Sequence, residues 1–303
     1  MQHGIINIFK EKDYTSHDVV ARLRGILNIK KIGHTGTLDP DAEGVLPICI
    51  GKATKLSDFL TNKDKTYVAS MILGLTTDTQ DITGEVLTKS KVDITEDDLH
   101  RVAKSYIGAH EQLPPMYSAL SVNGIKLYKL ARQGIEVKRK KRPIFINNIN
   151  IIEYNKELHQ ARIEIDCEKG TYIRTLLHDI GQVLGCGGTT KDLLRTRAGD
   201  FTIENSLKLS EVEDLVRSKE VNNYIKPIDS VLTNYPRLIV NEESDTTIQN
   251  GNPLKKSSFI NSDEFNIMNY KDLIRIYDYQ NNFIALYQFD FSKNSFVPKK
   301  MFI

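Results

Sequence analysis

Cysteine is scarce in this chain. Cys49, Cys167 and Cys186 are odd in number and far apart, and no CxxC pair or Cys/His ligand spacing occurs. That argues against a disulfide framework and a structural zinc site, and makes a reduced protein the expectation. Cys49 and Cys167 lie in apolar runs and read as small core residues. Tryptophan is absent altogether. No apolar stretch is long enough to span a bilayer, and the N-terminus lacks a basic segment followed by a long apolar one. A soluble, cytoplasmic protein is expected. Excess charge of one sign is missing too: 41 Lys and Arg against 39 Asp and Glu give a formal +2, so any nucleic-acid surface must come from local clustering. No internal repeat or low-complexity tract appears. Nor is there a phosphate loop. Gly51-Lys52-Ala53-Thr54 hints at one, but the pattern needs a glycine where Leu46 stands, and Thr54 falls one residue late.

What is present, in 303 residues, suffices for one large domain and a small one, each with a core. The most informative stretch runs from Lys31 to Lys55, KIGHTGTLDPDAEGVLPICIGKATK. Gly33 and Gly36 allow backbone angles that a side chain would forbid, and Pro40 pushes Asp39 out of the α region. Asp39 is therefore expected on a sharply turned loop. The run Val45 to Ile50 reads as a short buried strand that anchors this loop. A carboxylate on a stiff, supported loop suits a nucleophile or an acid/base group, and an Asp before Pro also suits an ordinary turn.

Elsewhere, Gly4 to Phe9 reads as a strand. Ser16 is a good N-cap for an amphipathic helix whose Val19, Val20, Leu23, Ile26 and Leu27 fall at helical spacing, ending near Asn28. Lys65 to Leu75 reads as a strand with Tyr67 near its start, a packing residue by its type. Residues 76–84 form a polar turn, and turn chemistry alone accounts for Asp81 there. Thr95 caps a helix to Gly108 with Leu99, Val102, Ala103, Tyr106 and Ile107 as its buried stripe. From Leu113 to Pro143 a double proline leads into a segment with a short helix between Gly124 and Gly134, then five consecutive basic residues, Lys138 to Arg142. Such a run is a solvated face or an RNA-backbone contact. Two strands follow, Ile144 to Tyr154 and Ala161 to Cys167, and then a helix from Tyr172 to about Leu184. Arg174 thus falls in a first helical turn, where a cation opposes the helix dipole and calls for a local anion. Beyond a helix at 210–218, short strands at 238–240, 273–277 and 283–287 suggest a small β unit after a boundary near Asn234.

The runs GHTGTLDP and GVLPICIGKATK closely resemble the central motif of the bacterial TruB-type tRNA pseudouridine-55 synthases. Asp64-Lys65-Thr66-Tyr67, the 76–84 turn, the 113–143 segment and GTYIRTLLHDIGQ resemble further motifs of that family in its order and spacing. The resemblance implies an α+β catalytic domain on a mixed, mainly antiparallel sheet (1–234, with an RNA-gripping insertion at 113–143). It also implies a small PUA-like RNA-binding β domain at 235–303. The implied activity is isomerisation of uridine 55 to pseudouridine in the T arm of tRNA, by a monomer that uses neither metal nor organic cofactor. Asp39 would be the nucleophile, Arg174 would hold its carboxylate by a two-pronged contact, and Tyr67 would stack on the flipped base. His34 would wedge into the vacated space, Tyr172 and Leu193 would line the base site, and Asp81 and Lys55 are further substrate-side candidates. Ser121, Gly188-Thr189 and Leu194 depart from the family pattern. The competing reading is a non-catalytic RNA-binding or tRNA-folding protein on the same scaffold. A metal-dependent nuclease is disfavoured by the lack of clustered carboxylates.

Overall fold

A nine-stranded sheet runs through residues 4–202, and its middle is covered differently from one of its ends. The computed structural model describes residues 3–260 and 272–303. The strands of this stretch are β1 (Gly4–Lys10), β2 (Ile32–His34), β3 (Glu43–Ile50), β4 (Lys65–Leu73), β5 (Leu75–Thr77), β6 (Val86–Lys89), β7 (Gly108–Gln112), β8 (Ser121–Val122), β9 (Ile125–Lys126), β10 (Arg142–Asn155), β11 (Gln160–Cys167), β12 (Gly188–Ala198) and β13 (Phe201–Thr202), of which β5–β6 and β8–β9 form separate two-stranded sheets. The order in the sheet is β1-β3-β12-β4-β11-β10-β7, with β2 on β3 and β13 on β12. Strands β3 and β12 run parallel, and every other neighbouring pair in this sheet runs antiparallel. This is the mixed, mainly antiparallel α+β sheet expected from the sequence.

In β4, midway along this order, burial alternates. Lys65, Tyr67, Ala69, Met71 and Leu73 point inward, and the residues between them are half-buried. The inward face packs under α3 (Glu96–Lys104) and α5 (Ile173–Val183), with Leu99, Val102, Leu176 and Ile180 in one cluster with Tyr67 and Ala69. At the β1/β3 end both faces are covered, so β3 is buried over seven consecutive residues and reads as an unbroken apolar run. One side meets α1 (Ser16–Leu27) and α6 (Leu209–Arg217). The other meets Ala53, Leu56 and Leu60 and, from the C-terminal part, Leu286 and Phe302.

Several boundaries differ from the sequence reading. The N-cap of α1 is Thr15, whose side chain accepts from Asp18 N–H in a full capping box, and Ser16 is the first helical residue. Helix α3 stops at Lys104 rather than Gly108, because Ser105 to Ile107 turn back with three-residue hydrogen bonds before Gly108 takes φ +102°. Ile107 is accordingly exposed, not part of the buried stripe. Strand β4 ends at Gly74, where φ is +83° and a Cβ would lie 2.7 Å from Val92. Leu75 belongs instead to the β5–β6 hairpin around the polar turn. In the 113–143 segment, Asn123 and Gly124, both with positive φ, close a β8–β9 hairpin ahead of the short helix Leu127–Ala131.

The C-terminal residues build a four-stranded sheet, β14 (Arg237–Ile239), β15 (Leu273–Tyr277), β16 (Phe283–Asp290) and β17 (Ser295–Met301). Sequence reading missed β17. It is an edge strand carrying Pro298 and two lysines, with no clean alternation to reveal it.

Candidate active site

Asp39 stands on the loop between β2 and β3, and several backbone polar groups around it are held. Gly36 takes φ +127°, so the chain reverses where a side chain would be strained, whereas Gly33 lies in β2 without a positive φ, contrary to expectation. Leu38 is buried in the central cluster, an anchorage of roughly 1.5–3 kcal/mol. Leu38 N–H donates to Ser16 Oγ at 2.9 Å, and that hydroxyl donates to Leu38 C=O at 3.3 Å. On the other side of Asp39, the Pro40 carbonyl accepts from Lys10 Nζ at 2.9 Å and from Asp13 N–H at 3.1 Å. The Asp39 carbonyl itself accepts from Ala42 N–H at 3.1 Å. Arg195, fully buried under the loop, donates to the carbonyls of Val45 at 2.7 Å and Gly36 at 3.2 Å. The Lys10 side chain is also fully buried, and burial lowers its pKa to about 8 against the opposing pull of Glu43, Asp39 and Asp41.

The carboxylate points at Arg174. Arg174 Nε lies 2.9 Å from Asp39 Oδ2, and Nη1 lies 3.2 Å from Asp81 Oδ2. Nη1 also donates to Thr79 C=O at 2.7 Å and Nη2 to Tyr117 C=O at 2.8 Å. With its terminal nitrogens engaged elsewhere, the guanidinium meets Asp39 through Nε rather than by the two-pronged contact expected. The anions that reconcile a cation with the first turn of α5 are therefore Asp39 and Asp81 together. Their exposures differ in a way that matters: the Arg174 side chain is 7% exposed, Asp81 18% and Asp39 43%. Asp81 Oδ1 is further occupied by the hydroxyls of Thr79 and Thr83 and by Thr83 N–H. Of the two acids, Asp39 faces outward and Asp81 is saturated as scaffold.

Tyr67 is packed with Leu38 and Ala42 in the central cluster and is only 7% exposed. Burial raises its hydroxyl pKa, with Arg195 opposing and Asp39 within electrostatic reach. Tyr172 caps α5, and Gln112 brackets its peptide, accepting from Tyr172 N–H at 2.9 Å and donating to its C=O at 3.0 Å. The Tyr172 hydroxyl pKa is also raised by burial, and Ser118, Arg142, Asp39 and Arg174 all act on it. Leu193, on β12 beside Ala69 of β4, packs half-buried against the same cluster. His34 closes β2 with Nδ1 buried and without a protein partner; burial first, then His17 and Arg195, lower its pKa.

Lys55 is not brought to this group. Its ammonium donates to Met301 C=O at 2.6 Å, in the seam with the C-terminal sheet. Conversely, Lys10, Ser16, Gln112 and Arg195 were not singled out as site residues, although each fixes a backbone group of the site. A hydroxyl or ammonium that grips a distant carbonyl leaves no periodic trace in sequence. The 113–143 segment adds Tyr117, whose hydroxyl donates to Asp78 Oδ2 at 3.3 Å while its carbonyl holds Arg174. Within the basic run, Arg139 is tied to Glu136 and to Pro114 C=O, while Lys138, Lys140, Lys141 and Arg142 are exposed. Among the described residues no group of three or more His, Cys, Asp or Glu converges as a metal site, and no helix is long and apolar enough to cross a membrane.

Comparison with known proteins bears directly on this loop, arginine and aromatic set. Residues 24–173 match the TruB family pseudouridylate synthase N-terminal domain, and residues 174–233 the tRNA pseudouridylate synthase B C-terminal domain. The tRNA pseudouridine synthase B of Lachnoclostridium phytofermentans is 48% identical over 99% of this chain and all of its own length. That of Clostridioides difficile is 41% identical, with 99% of both chains covered. A solved Cbf5-Nop10-Gar1 complex contains a chain with TM-score 0.74 and 26% identity, covering 99% of this chain and 85% of that one. An H/ACA RNP bound to a substrate RNA containing 2′-deoxyuridine matches with TM-score 0.73 and 25% identity, covering 99% of this chain and 85% of that one. The first family match contains the Asp39 loop, the second begins at Arg174, and relatives align along nearly the whole length: the chain belongs to the TruB family of tRNA pseudouridine synthases, isomerases that act on tRNA.

Proposed function

We propose that this chain converts uridine 55, in the T arm of tRNA, to pseudouridine with Asp39 as the nucleophile. The observation that carries this reading is the contrast along one ion-pair chain: buried Arg174 is held by saturated Asp81 on one side and aims the half-exposed Asp39 carboxylate on the other. The target base lies inside the folded tRNA arm and must be flipped out, at a cost of a few kcal/mol. Stacking on an aromatic ring offsets about 1–3 kcal/mol of that, and Tyr67 and Tyr172 are aromatic residues within electrostatic reach of Asp39. Asp39 then adds to the ribose or to the base, and the bond it forms breaks again before the product leaves, which regenerates the carboxylate. The C1′–N1 bond breaks, the uracil turns, a C1′–C5 bond forms, and the proton leaving C5 is balanced by one gained at N1. The conversion is redox-neutral, and we propose that it proceeds without metal or organic cofactor.

The exposed Lys138, Lys140, Lys141 and Arg142 supply phosphate contacts in the 113–143 insertion, and the C-terminal sheet from residue 235 onward serves as a second RNA-contacting domain. The H/ACA assembly bound to substrate RNA supports an RNA cleft on this scaffold. The protein acts as a monomer in the cytoplasm. A purely RNA-folding role is disfavoured by the intact Asp39–Arg174–Asp81 chain. The test is to incubate unmodified tRNA transcript with the protein and map pseudouridine by position. Pseudouridine at position 55, lost with Asp39→Asn, supports the reading. Modification confined to other positions refutes the U55 assignment.

A further inference from the structure

We propose that Ser16 is a positioning residue for Asp39: it fixes the backbone end of the nucleophile while Arg174 fixes the carboxylate end. The proposal rests on the reading of Asp39 as nucleophile. Its starting point is a hydroxyl with no helical duty. Thr15 carries the whole capping box of α1 with Asp18, so the Ser16 side chain is not needed as a cap. It is 1% exposed, and its Oγ meets both backbone polar atoms of Leu38, accepting at 2.9 Å and donating at 3.3 Å.

Leu38 C=O and Asp39 N belong to one planar peptide unit. Holding that carbonyl and the preceding N–H therefore fixes the plane from which the Asp39 Cα projects. The opposite flank is held independently, by Lys10 and Asp13 on the Pro40 carbonyl. Pro40 has no N–H, so no hydrogen bond from it can substitute for the Ser16 grip. The side chain is then clamped at its far end, with Oδ2 2.9 Å from Arg174 Nε. A nucleophile held at both ends sits in one place. Releasing the backbone end lets the carboxylate follow Arg174 with its Cα displaced, and a misplacement near 1 Å can reduce a rate by about a hundredfold.

The experiment measures single-turnover pseudouridine formation with enzyme in excess, tRNA affinity and thermal unfolding for Ser16→Ala, Ser16→Cys, Arg174→Lys and the Ser16→Ala/Arg174→Lys double variant, with Asp39→Asn as reference. Ser16→Ala should slow turnover roughly ten- to hundredfold, leave tRNA affinity within about twofold, and remain folded at the assay temperature. Ser16→Cys keeps the packing but has a weak donor and acceptor, so it should also be slow. In the Arg174→Lys background, Ser16→Ala should reduce the rate by less than about threefold, because both act through one carboxylate. An equal loss in both backgrounds means that Ser16 serves the fold alone and overturns the proposal. So does a Ser16→Ala or Ser16→Cys variant at parental rate while Asp39→Asn is inactive; that outcome leaves the nucleophile reading standing. Turnover retained by Asp39→Asn removes the nucleophile reading and the Ser16 proposal with it. If Ser16→Ala does not fold, Ser16→Cys decides alone.

Discussion

Arg174→Lys conserves charge and should still be strongly damaging. The arginine serves four oxygens set around it: Asp39 Oδ2 at 2.9 Å, Asp81 Oδ2 at 3.2 Å, Thr79 C=O at 2.7 Å and Tyr117 C=O at 2.8 Å. Lysine brings three donors on a single atom at the end of a flexible stem, so it cannot serve four acceptors facing a plane from different sides. At least one oxygen loses its partner at a side chain only 7% exposed, where solvent does not replace it. A hydrogen bond to a charged group contributes about 1.5–3 kcal/mol. If Asp39 is the acceptor left unserved, the barrier rises by a similar amount, which is roughly a 10- to 150-fold slower reaction. Asp39 is half exposed, so the lower part of that range is the better expectation. The assay is single-turnover pseudouridine formation in unmodified tRNA, alongside tRNA affinity and thermal unfolding. Turnover within about threefold of wild type refutes the argument. Weakened binding with intact turnover also refutes it, because Arg174 would then be an RNA-phosphate contact.

Three other perturbations probe separate parts of the molecule. Asp39→Asn keeps the size of the side chain and removes its charge, so turnover should vanish while tRNA affinity stays near wild type; turnover within about tenfold of the parent, a barrier change of only ~1.4 kcal/mol, takes Asp39 out of the nucleophile role. Neutralising Lys138, Lys140 and Lys141 together should flatten the log–log salt dependence of tRNA binding by ~0.7–0.9 for each phosphate no longer neutralised, and an unchanged slope means that the run is only a solvated face. Lys10, whose pKa burial lowers from 10.5 to about 8, should make stability rise with pH. Below about 8 both folded and unfolded chains hold its proton; between there and 10.5 the folded chain has released it and the unfolded chain has not, so the gain approaches ~1.4 kcal/mol per pH unit. Urea midpoints of wild type and Lys10→Met from about pH 7 to 10 should diverge accordingly, and a constant difference across that window refutes it.

Much of the fold was legible because its signals are local and repeated. The spacing of Val19, Val20, Leu23 and Leu27 gave α1, and the unbroken run through β3 matched a strand buried on both faces. Where the reading slipped, a single residue overrode a pattern: Gly74 stopped β4, and a three-residue turn at Ser105 ended α3 early. Strand β17 escaped because an edge needs no alternation and tolerates Pro298. Asp39 and Arg174 were legible by another route, since a proline-bounded acid and a cation at a helix start each break a local preference. The structure joins those two anomalies in one ion pair.

What could not be read is the set of groups that immobilise the loop. Lys10 and Arg195 are fully buried cations whose side chains donate to backbone carbonyls. Desolvating a charge for such a partner is unfavourable unless the geometry needs a long, strong donor. A loop of eight residues between β2 and β3 forms no element of its own, so the carbonyls of Gly36 and Pro40 take partners from outside it. Cations inserted from β1 and β12 satisfy those carbonyls and tie the loop to two strands on either side of β3. The rigidity around Asp39 therefore comes from sheet order, a property of residues 150 or more positions apart as well as of near neighbours. The same arrangement explains why the Asp39 loop tolerates a half-exposed carboxylate: its shape is set from below by buried donors, and the outward face stays open to solvent.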